Sequence, residues 1–297
     1  MILKTIFVSS FLVTGSEGQL GSCFQLVAKE FPQFKLFFTN RSELDIIKPE
    51  MLSNFFKKNP FEGIINCAAY TDVDKAEIEL KKAEEINLQG VQNLIDFAAE
   101  KNIKIIHFST DFVFDGYKKS LYKETDNTSP ICFYGQSKLS GENALHNAKC
   151  LNTTLRISWL YSPFGNNFVK TMIRSSKTTK EINVIEDQLG KPTYGMDLVR
   201  AVLSNLDNPN FFKYKIYHFA QGPKTSWYEF ACKIIEIIRA DCKVNPIKSS
   251  DYPSLTNRPL NAVLDTKRIE KTLSLQIRDW EAALKDCINK IQYNEVI

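Results

Sequence analysis

The chain is short of the residues on which zinc sites and nucleic-acid surfaces are built. Only three histidines occur in 297 residues, none beside another, which argues against a zinc centre. Seven cysteines are present, but the number is odd, the spacings are wide and there is no C-x-x-C. That pattern fits reduced thiols in a cytoplasmic protein rather than a disulfide framework. Basic residues exceed acidic ones only slightly, 38 against 34, and form no runs, so the footprint of a nucleic-acid binder is missing. No stretch approaches the ~20 apolar residues that a membrane span requires. The opening MILKTIFVSSFLVTG mimics a short signal peptide. It offers no small-residue cleavage site and leads straight into a glycine motif, so a buried first strand after a short leader at residues 1–10 is expected instead. No internal repeat or biased tract appears.

What remains is an ordinary globular composition, 43% hydrophobic and 24% charged, in a chain long enough for two lobes. Short apolar runs, FLVTG (11–15), KLFFT (35–39), GIINCAA (63–69), KIIHFS (104–109) and TTLRIS (153–158), alternate with amphipathic stretches such as 81–102. Continuous apolar strands separated by helices predict a doubly wound parallel α/β sheet of the Rossmann kind, covered on both faces. We expect this domain over 1–157, with a later return of the chain near 190–220. A smaller lobe over 158–297 would contain a strand at 182–185 and a helix at 226–240.

T-G-S-E-G-Q-L-G places Gly15, Gly18 and Gly21 between the first strand and first helix. Such glycines let the backbone turn and approach a dinucleotide pyrophosphate, which the helix N-terminus then stabilises. An NAD-type site usually carries a carboxylate at the end of the second strand. Here that position reads Thr39-Asn40-Arg41-Ser42, which suits a 2′-phosphate and predicts NADPH. Glu43 and Asp45 nearby leave NADH open.

Two further stretches converge on the same sheet end. The fourth strand emerges into Ser109-Thr110-Asp111, and strand carboxyl ends are where open α/β sheets bind ligands. FYGQSKLSGE (133–142) carries Tyr134 and Lys138 on one helix face, with Ser129 expected to cap a helix starting at Pro130. Gly135 and Gly141 cost that helix about 1 kcal/mol each, so something is expected to pack closely on its backbone. A Tyr-x-x-x-Lys spacing arises by chance about once in such a chain; its context is what carries it. Hydride reaching a carbonyl carbon leaves charge on oxygen, which Tyr134 can protonate while Thr110 hydrogen-bonds it. Lys138 is expected to lower the tyrosine pKa by about three units and to hold the nicotinamide ribose.

At these residues the chain resembles the extended short-chain dehydrogenases/reductases and, within them, the dTDP-4-dehydrorhamnose reductase family. The match includes INCAAYTDVDKAE (65–77), FSTDFVFDG (108–116), RISWLYSPFGNNFVKTM (156–172), DQLGKPT (187–193), TSWYEFA (225–231) and RPLNAVLD (258–265). The resemblance implies NADPH-dependent reduction of the 4-keto group of dTDP-6-deoxy-L-lyxo-4-hexulose, for cell-surface polysaccharide, by a monomer or homodimer. The cofactor residues it implies are Gly15, Gly18, Gln19, Leu20, Gly21, Asn40, Arg41, Asp45, Ile46, Ala68, Ala69 and Tyr70, with Tyr134 and Lys138. For the nucleotide sugar it implies Thr71, Val73, Thr110, Asp111, Phe112, Trp159, Asn167 and Arg258.

The chain also departs from the family. Phe112 replaces a usual Tyr, and Ala262 a frequent Ser. Cys23 and Met196 stand where magnesium-binding dimeric members carry glutamates, so no such metal is expected. Another nucleotide-linked 4-keto sugar, or a non-catalytic NADP-binding subunit, remains an alternative. A 4,6-dehydratase would want a carboxylate at position 112.

Overall fold

The computed structural model describes residues 9–58 and 60–296; positions 1–8 of the expected leader lie outside them. In chain order the first half runs β1 (Ser9–Thr14), α1 (Gln19–Val27), β2 (Phe34–Thr39), α2 (Pro49–Lys58) and β3 (Gly63–Asn66). It continues with the short helices α3 (Val73–Ala76) and α4 (Leu80–Glu84), then α5 (Gly90–Lys101), β4 (Lys104–Thr110), α6 (Phe133–Asn147) and β5 (Asn152–Ile157). The second half holds β6 (Leu160–Tyr161), α7 (Phe168–Ser176), β7 (Glu181–Ile185), β8 (Leu189–Gly190), β9 (Thr193–Tyr194) and α8 (Gly195–Leu203). After these come β10 (Ile216–Phe219), β11 (Thr225–Ser226), α9 (Trp227–Ile238), β12 (Lys243–Ile247), α10 (Lys267–Leu273) and α11 (Trp280–Val296).

Six strands form one parallel sheet in the order β10-β5-β4-β3-β1-β2. Alternation along each strand assigns its side chains to the two faces. Phe11, Val13, Ile65, Ile106 and Phe108 join a core with α1, α8 and α11. Leu12, Ile64 and Ile105 join a second core with α2 and α5. Phe11, Leu12 and Val13 are all fully buried, each contributing about 1.5–3 kcal/mol. The order reverses between β1 and β3, and crevices at such switch points are where ligands bind. The remaining strands make three two-stranded pairings, β11 with β8, β12 with β7 and β6 with β9. The second of these is parallel and packs against α9.

Several boundaries differ from the sequence reading. β1 begins at Ser9, taking in part of the expected leader, because Ser9 and Ser10 already pair with Phe34 and Lys35. β3 stops at Asn66, leaving 67–72 as a loop at the carboxyl end of the sheet. The stretch 81–102 is not one continuous α-helix, for a π-helical segment, Glu85–Gln89, separates α4 from α5. The helix carrying Tyr134 does not start at Pro130 either. α6 begins at Phe133, and Cys132 in an extended conformation is its cap, the thiol accepting from the Gly135 amide at 3.5 Å. The Phe133 amide is taken by Glu77 Oε1 at 2.7 Å, while the Ser129 amide donates to Val113 O. The first-turn donors are thus satisfied further along, and Pro130 stays outside the helix.

The two glycines of α6 mark close approaches. A Cβ on Gly135 would sit 2.2 Å from Phe112 O, and one on Gly141 would sit 2.3 Å from Asn87 O in the π-helical segment. Asn87 ties that segment to α6 as well, donating to Ser137 Oγ at 2.9 Å.

Candidate active site

The carboxyl ends of β1, β3 and β4 open onto a cavity of ≈ 720 Å³. Its walls include Gly18, Gln19, Leu20, Ala69, Thr71, Val73, Thr110, Asp111, Phe112, Tyr134, Lys138, Trp159, Asn167 and Arg258, so both halves of the chain contribute. Gly15, Gly21, Asn40, Arg41, Asp45, Ile46, Ala68 and Tyr70 are not among its lining residues.

At the glycine loop, Gly15 has φ +63°, and a side chain there would lie 2.7 Å from Ala68 N. A side chain on Gly21 would lie 2.3 Å from Gly15 O. These contacts exclude Cβ atoms and bring the loop down on β3. Gly18 caps α1 without any side-chain acceptor for the helix amides, so the first turn presents free N–H groups and the positive helix end to an anion. Gln19 Nε2 reaches across to Leu160 O at 3.0 Å. The glycine turn, the free amides and a buried ammonium therefore fit a dinucleotide phosphate and ribose.

Beyond β2, Asn40 Oδ1 gathers the Ser42 amide, the Ser42 hydroxyl and the Glu43 amide within 3.0 Å, and its Nδ2 donates to Glu17 at 2.8 Å. Arg41 keeps 65% of its side chain exposed while its Nε donates to Asp45 Oδ2 at 3.2 Å. Asp45 is thereby engaged by a cation and by the Ile47 amide rather than left free for a ribose hydroxyl. Ile46 turns into the core over Gly90. Tyr70 is buried, donates to Glu79 at 3.0 Å, and its amide donates to Asn87 Oδ1. Burial pushes its hydroxyl up to about 12.

The reacting groups lie at the end of β4. Thr110 Oγ1 accepts from the Phe112 amide at 3.2 Å and donates to Asp111 Oδ1 at 3.1 Å. Tyr134 lies beside it, its ring meeting Phe112 edge-on at 5.6 Å. Asp111 is buried, its Oδ2 has no partner, and burial raises its carboxyl to about 7. Ser109 Oγ, another wall atom, is equally buried and unpartnered. Lys138 is 3% exposed, and its Nζ donates to Phe108 O at 2.7 Å. Burial lowers it to about 8, against the opposing pull of Glu142.

The expectation that Lys138 lowers the tyrosine pKa does not hold here. Burial pushes the Tyr134 hydroxyl well above its ordinary value, with Thr110 pulling the other way and Asp111 adding to the rise. The physical reason is that the ammonium points to a backbone carbonyl and is itself weakened by burial. Tyr134 is therefore held neutral, in the form that can give a proton. Beneath the site, Thr14 Oγ1 donates to Asn66 Oδ1 at 2.6 Å, and Asn66 Nδ2 lies 3.1 Å from His107 Nδ1. This chain of contacts ties the ends of β1, β3 and β4 together, with burial holding His107 neutral.

On the far wall, Trp159 has φ +48° and stacks on Trp227 with ring centroids 3.6 Å apart. Gly190 lies against the Trp159 indole, where any Cβ would come within 2.4 Å. Asn167 lines the cavity, yet its amide already caps α7 and donates to Ser162 O and Phe164 O. Arg258 forms a 2.8 Å ion pair with Asp74 and also borders a second cavity of ≈ 480 Å³. Gln188 borders both cavities. The sequence reading missed Trp227, Gln188 and Phe168 as wall residues. All three stood within stretches the resemblance marks, TSWYEFA, DQLGKPT and RISWLYSPFGNNFVKTM, but nothing in those stretches singled them out.

Cys23 and Met196 are fully packed into the core. Among the described residues no group of three or more metal-ligating side chains occurs, and no helix is long and apolar enough to cross a membrane.

Comparison with known proteins agrees with this geometry. The family model described as RmlD substrate binding domain matches residues 9–293. A dTDP-4-dehydrorhamnose reductase of Aggregatibacter actinomycetemcomitans is 39% identical over 288 residues, covering 94% of this chain and 98% of that protein. The crystal structure of a dTDP-4-dehydrorhamnose reductase from Clostridium acetobutylicum superposes with a TM-score of 0.91 at 37% identity, covering 95% of this chain and 99% of that one. The Bacillus anthracis enzyme of the same name, solved in complex with NADP, gives 0.90 at 32% identity with the same coverage. With the family model spanning residues 9–293 and relatives at 37–39% identity matched over nearly the whole chain, the chain belongs to the dTDP-4-dehydrorhamnose reductase family.

Proposed function

We propose that the protein reduces the 4-keto group of dTDP-6-deoxy-L-lyxo-4-hexulose to dTDP-L-rhamnose with NADPH, supplying sugar for cell-surface polysaccharide. The observation that carries this reading is the convergence of Thr110, Tyr134 and Lys138 on one cavity beside the uncapped N-terminus of α1, in a chain that matches such reductases over nearly its whole length. A bound reduced nicotinamide supplies the hydride. Thr110 donates to the substrate carbonyl oxygen and fixes its position. Tyr134, kept neutral by burial, gives its proton to that oxygen as charge develops. Lys138 holds ribose hydroxyls through its ammonium and offsets the charge left on Tyr134. Arg41 and Ser42 receive a 2′-phosphate, with Asn40 shaping their turn, and the amides of the glycine loop receive the pyrophosphate.

Thr71, Val73, Asp111, Phe112 and Trp159 surround the sugar, and Arg258 reaches its diphosphate. Asn167 acts indirectly, by holding the loop before α7. Functionally, residues 1–157 together with the returning β10 serve the cofactor, and most of 158–297 serves the nucleotide sugar. The protein works in the cytoplasm as a monomer or homodimer, without nucleic-acid or membrane partners. The test is NADPH oxidation on addition of the enzymatically generated keto sugar. Turnover of a UDP, GDP or CDP sugar in its place would move the assignment to another member of the class.

A further inference from the structure

Lys138 is not the only charge buried behind the cavity. One helical turn further on, Glu142 is 3% exposed and receives Arg156 from β5, itself 2% exposed. Arg156 Nε donates to both carboxylate oxygens at 3.0 and 3.1 Å, and Nη2 donates to Oε2 at 2.7 Å. The guanidinium lies 5.1 Å from the Phe114 ring centroid, and its Nη1 has no partner. Neither residue lines the cavity. A buried ion pair is a weak source of stability, because desolvation offsets much of the attraction. Positions 138 and 142 share one face of α6, so the pair is placed to act electrostatically on the lysine.

We infer that Glu142, clamped by Arg156, is a positioning residue that keeps Lys138 in its charged form. The inference rests on the reductase reading of the cavity. Taken out of water, an ammonium loses its charge readily. The groups facing it are few. Cys67, just after β3, is a part-buried thiol on the cavity wall held protonated; His107 on β4 is buried and neutral; Tyr134 on α6 is neutral. Asp111, after β4, directs its Oδ1 to Thr110. Glu142 is thus the carboxylate set one turn behind the ammonium. Arg156 in turn is faced by His218 on β10, also neutral, and Glu124 pairs instead with Arg268 at 3.5 Å. The bidentate clamp fixes the position of the Glu142 carboxylate on this face of α6.

The sign follows directly. Glu142 favours protonated Lys138, so removing its charge makes the ammonium titrate at lower pH. Cofactor binding and turnover, which use the charged form, would then fail earlier as pH rises. The experiment records NADPH binding by fluorescence and kcat/KM from pH 6 to 10 for the native protein, E142Q and the packing-preserving pair E142L/R156M. In E142Q the alkaline limb of both profiles is expected to move down by about one unit, a roughly tenfold loss above the new limb with little change below it. The double variant shifts in the same direction, because Lys138 loses the Glu142 carboxylate there too; it carries the test alone if E142Q does not fold. Unmoved limbs in folded variants, or losses uniform across pH, overturn the inference. If the native protein fails to reduce the keto sugar, the function fails, while the pH dependence of NADPH binding still decides the role of Glu142.

Discussion

Replacing Tyr134 by Phe removes one oxygen from the site and leaves most of the rest in place. The ring keeps its edge-on contact with Phe112 at 5.6 Å. Thr110 keeps its hydrogen bond to Asp111 at 3.1 Å, so no hydroxyl is stranded and folding stability is expected to change by about 1 kcal/mol or less. Lys138 is held by Phe108 O at 2.7 Å rather than by the tyrosine, so NADPH binding should survive. What is lost is the proton donor, a contribution of ~10²- to 10⁴-fold, or about 3–5 kcal/mol of barrier. Single-turnover kinetics under saturating NADPH isolate this step from product release. The expected outcome is a chemical rate lower by that factor with an unchanged NADPH Kd. A rate within about threefold of the native protein would show that the proton comes from elsewhere, and Tyr134 would lose its role.

Three further outcomes follow from the same geometry. Asp111 is buried with its carboxyl raised to about 7, so the folded state holds a proton that the unfolded chain releases near pH ~4. The stability this supplies is complete below that pH and is lost as pH rises toward 7, an effect of order 4 kcal/mol. D111N should therefore have a Tm that depends less on pH between 5 and 8; an undiminished slope would contradict the assignment. In G141A the new Cβ would lie 2.3 Å from the Asn87 carbonyl, pushing α6 off the π-helical segment at a cost of about 1–3 kcal/mol. Its urea midpoint should drop together with activity, and a native midpoint would show that the contact yields freely. R41A removes the exposed guanidinium proposed for the 2′-phosphate and releases Asp45, so KM for NADPH should rise while KM for NADH does not. Equal changes for both cofactors would argue against that duty.

The parts of the molecule that are readable in the sequence are those fixed by local pattern. Continuous apolar runs such as FLVTG and KIIHFS read as strands buried on both faces, because no alternation with polar residues is needed there. Gly135 and Gly141 announce close backbone contacts, since glycine in a helix interior is otherwise a net cost, and the contacts are with Phe112 and Asn87. The start of α6 escapes the sequence because Ser129-Pro130 is a good local helix signal, whereas a partner distant in sequence, Glu77, captures the Phe133 amide. The π-helical turn leaves no periodic trace, since it serves contacts with α6 rather than its own face. Trp227, Gln188 and Phe168 reach the cavity only through the packing of distant segments, which no spacing encodes. The state of Lys138 is also beyond the sequence, as it depends on burial and on the carbonyl of Phe108.

The most direct test of hydride transfer to C4 uses NADPH deuterated at the transferable position, with the keto sugar generated in place and the product read by NMR. The account predicts one deuterium on C4 of dTDP-L-rhamnose for each NADPH consumed. Bound but unconsumed NADPH, or a product with deuterium at another carbon or the opposite configuration at C4, would contradict it.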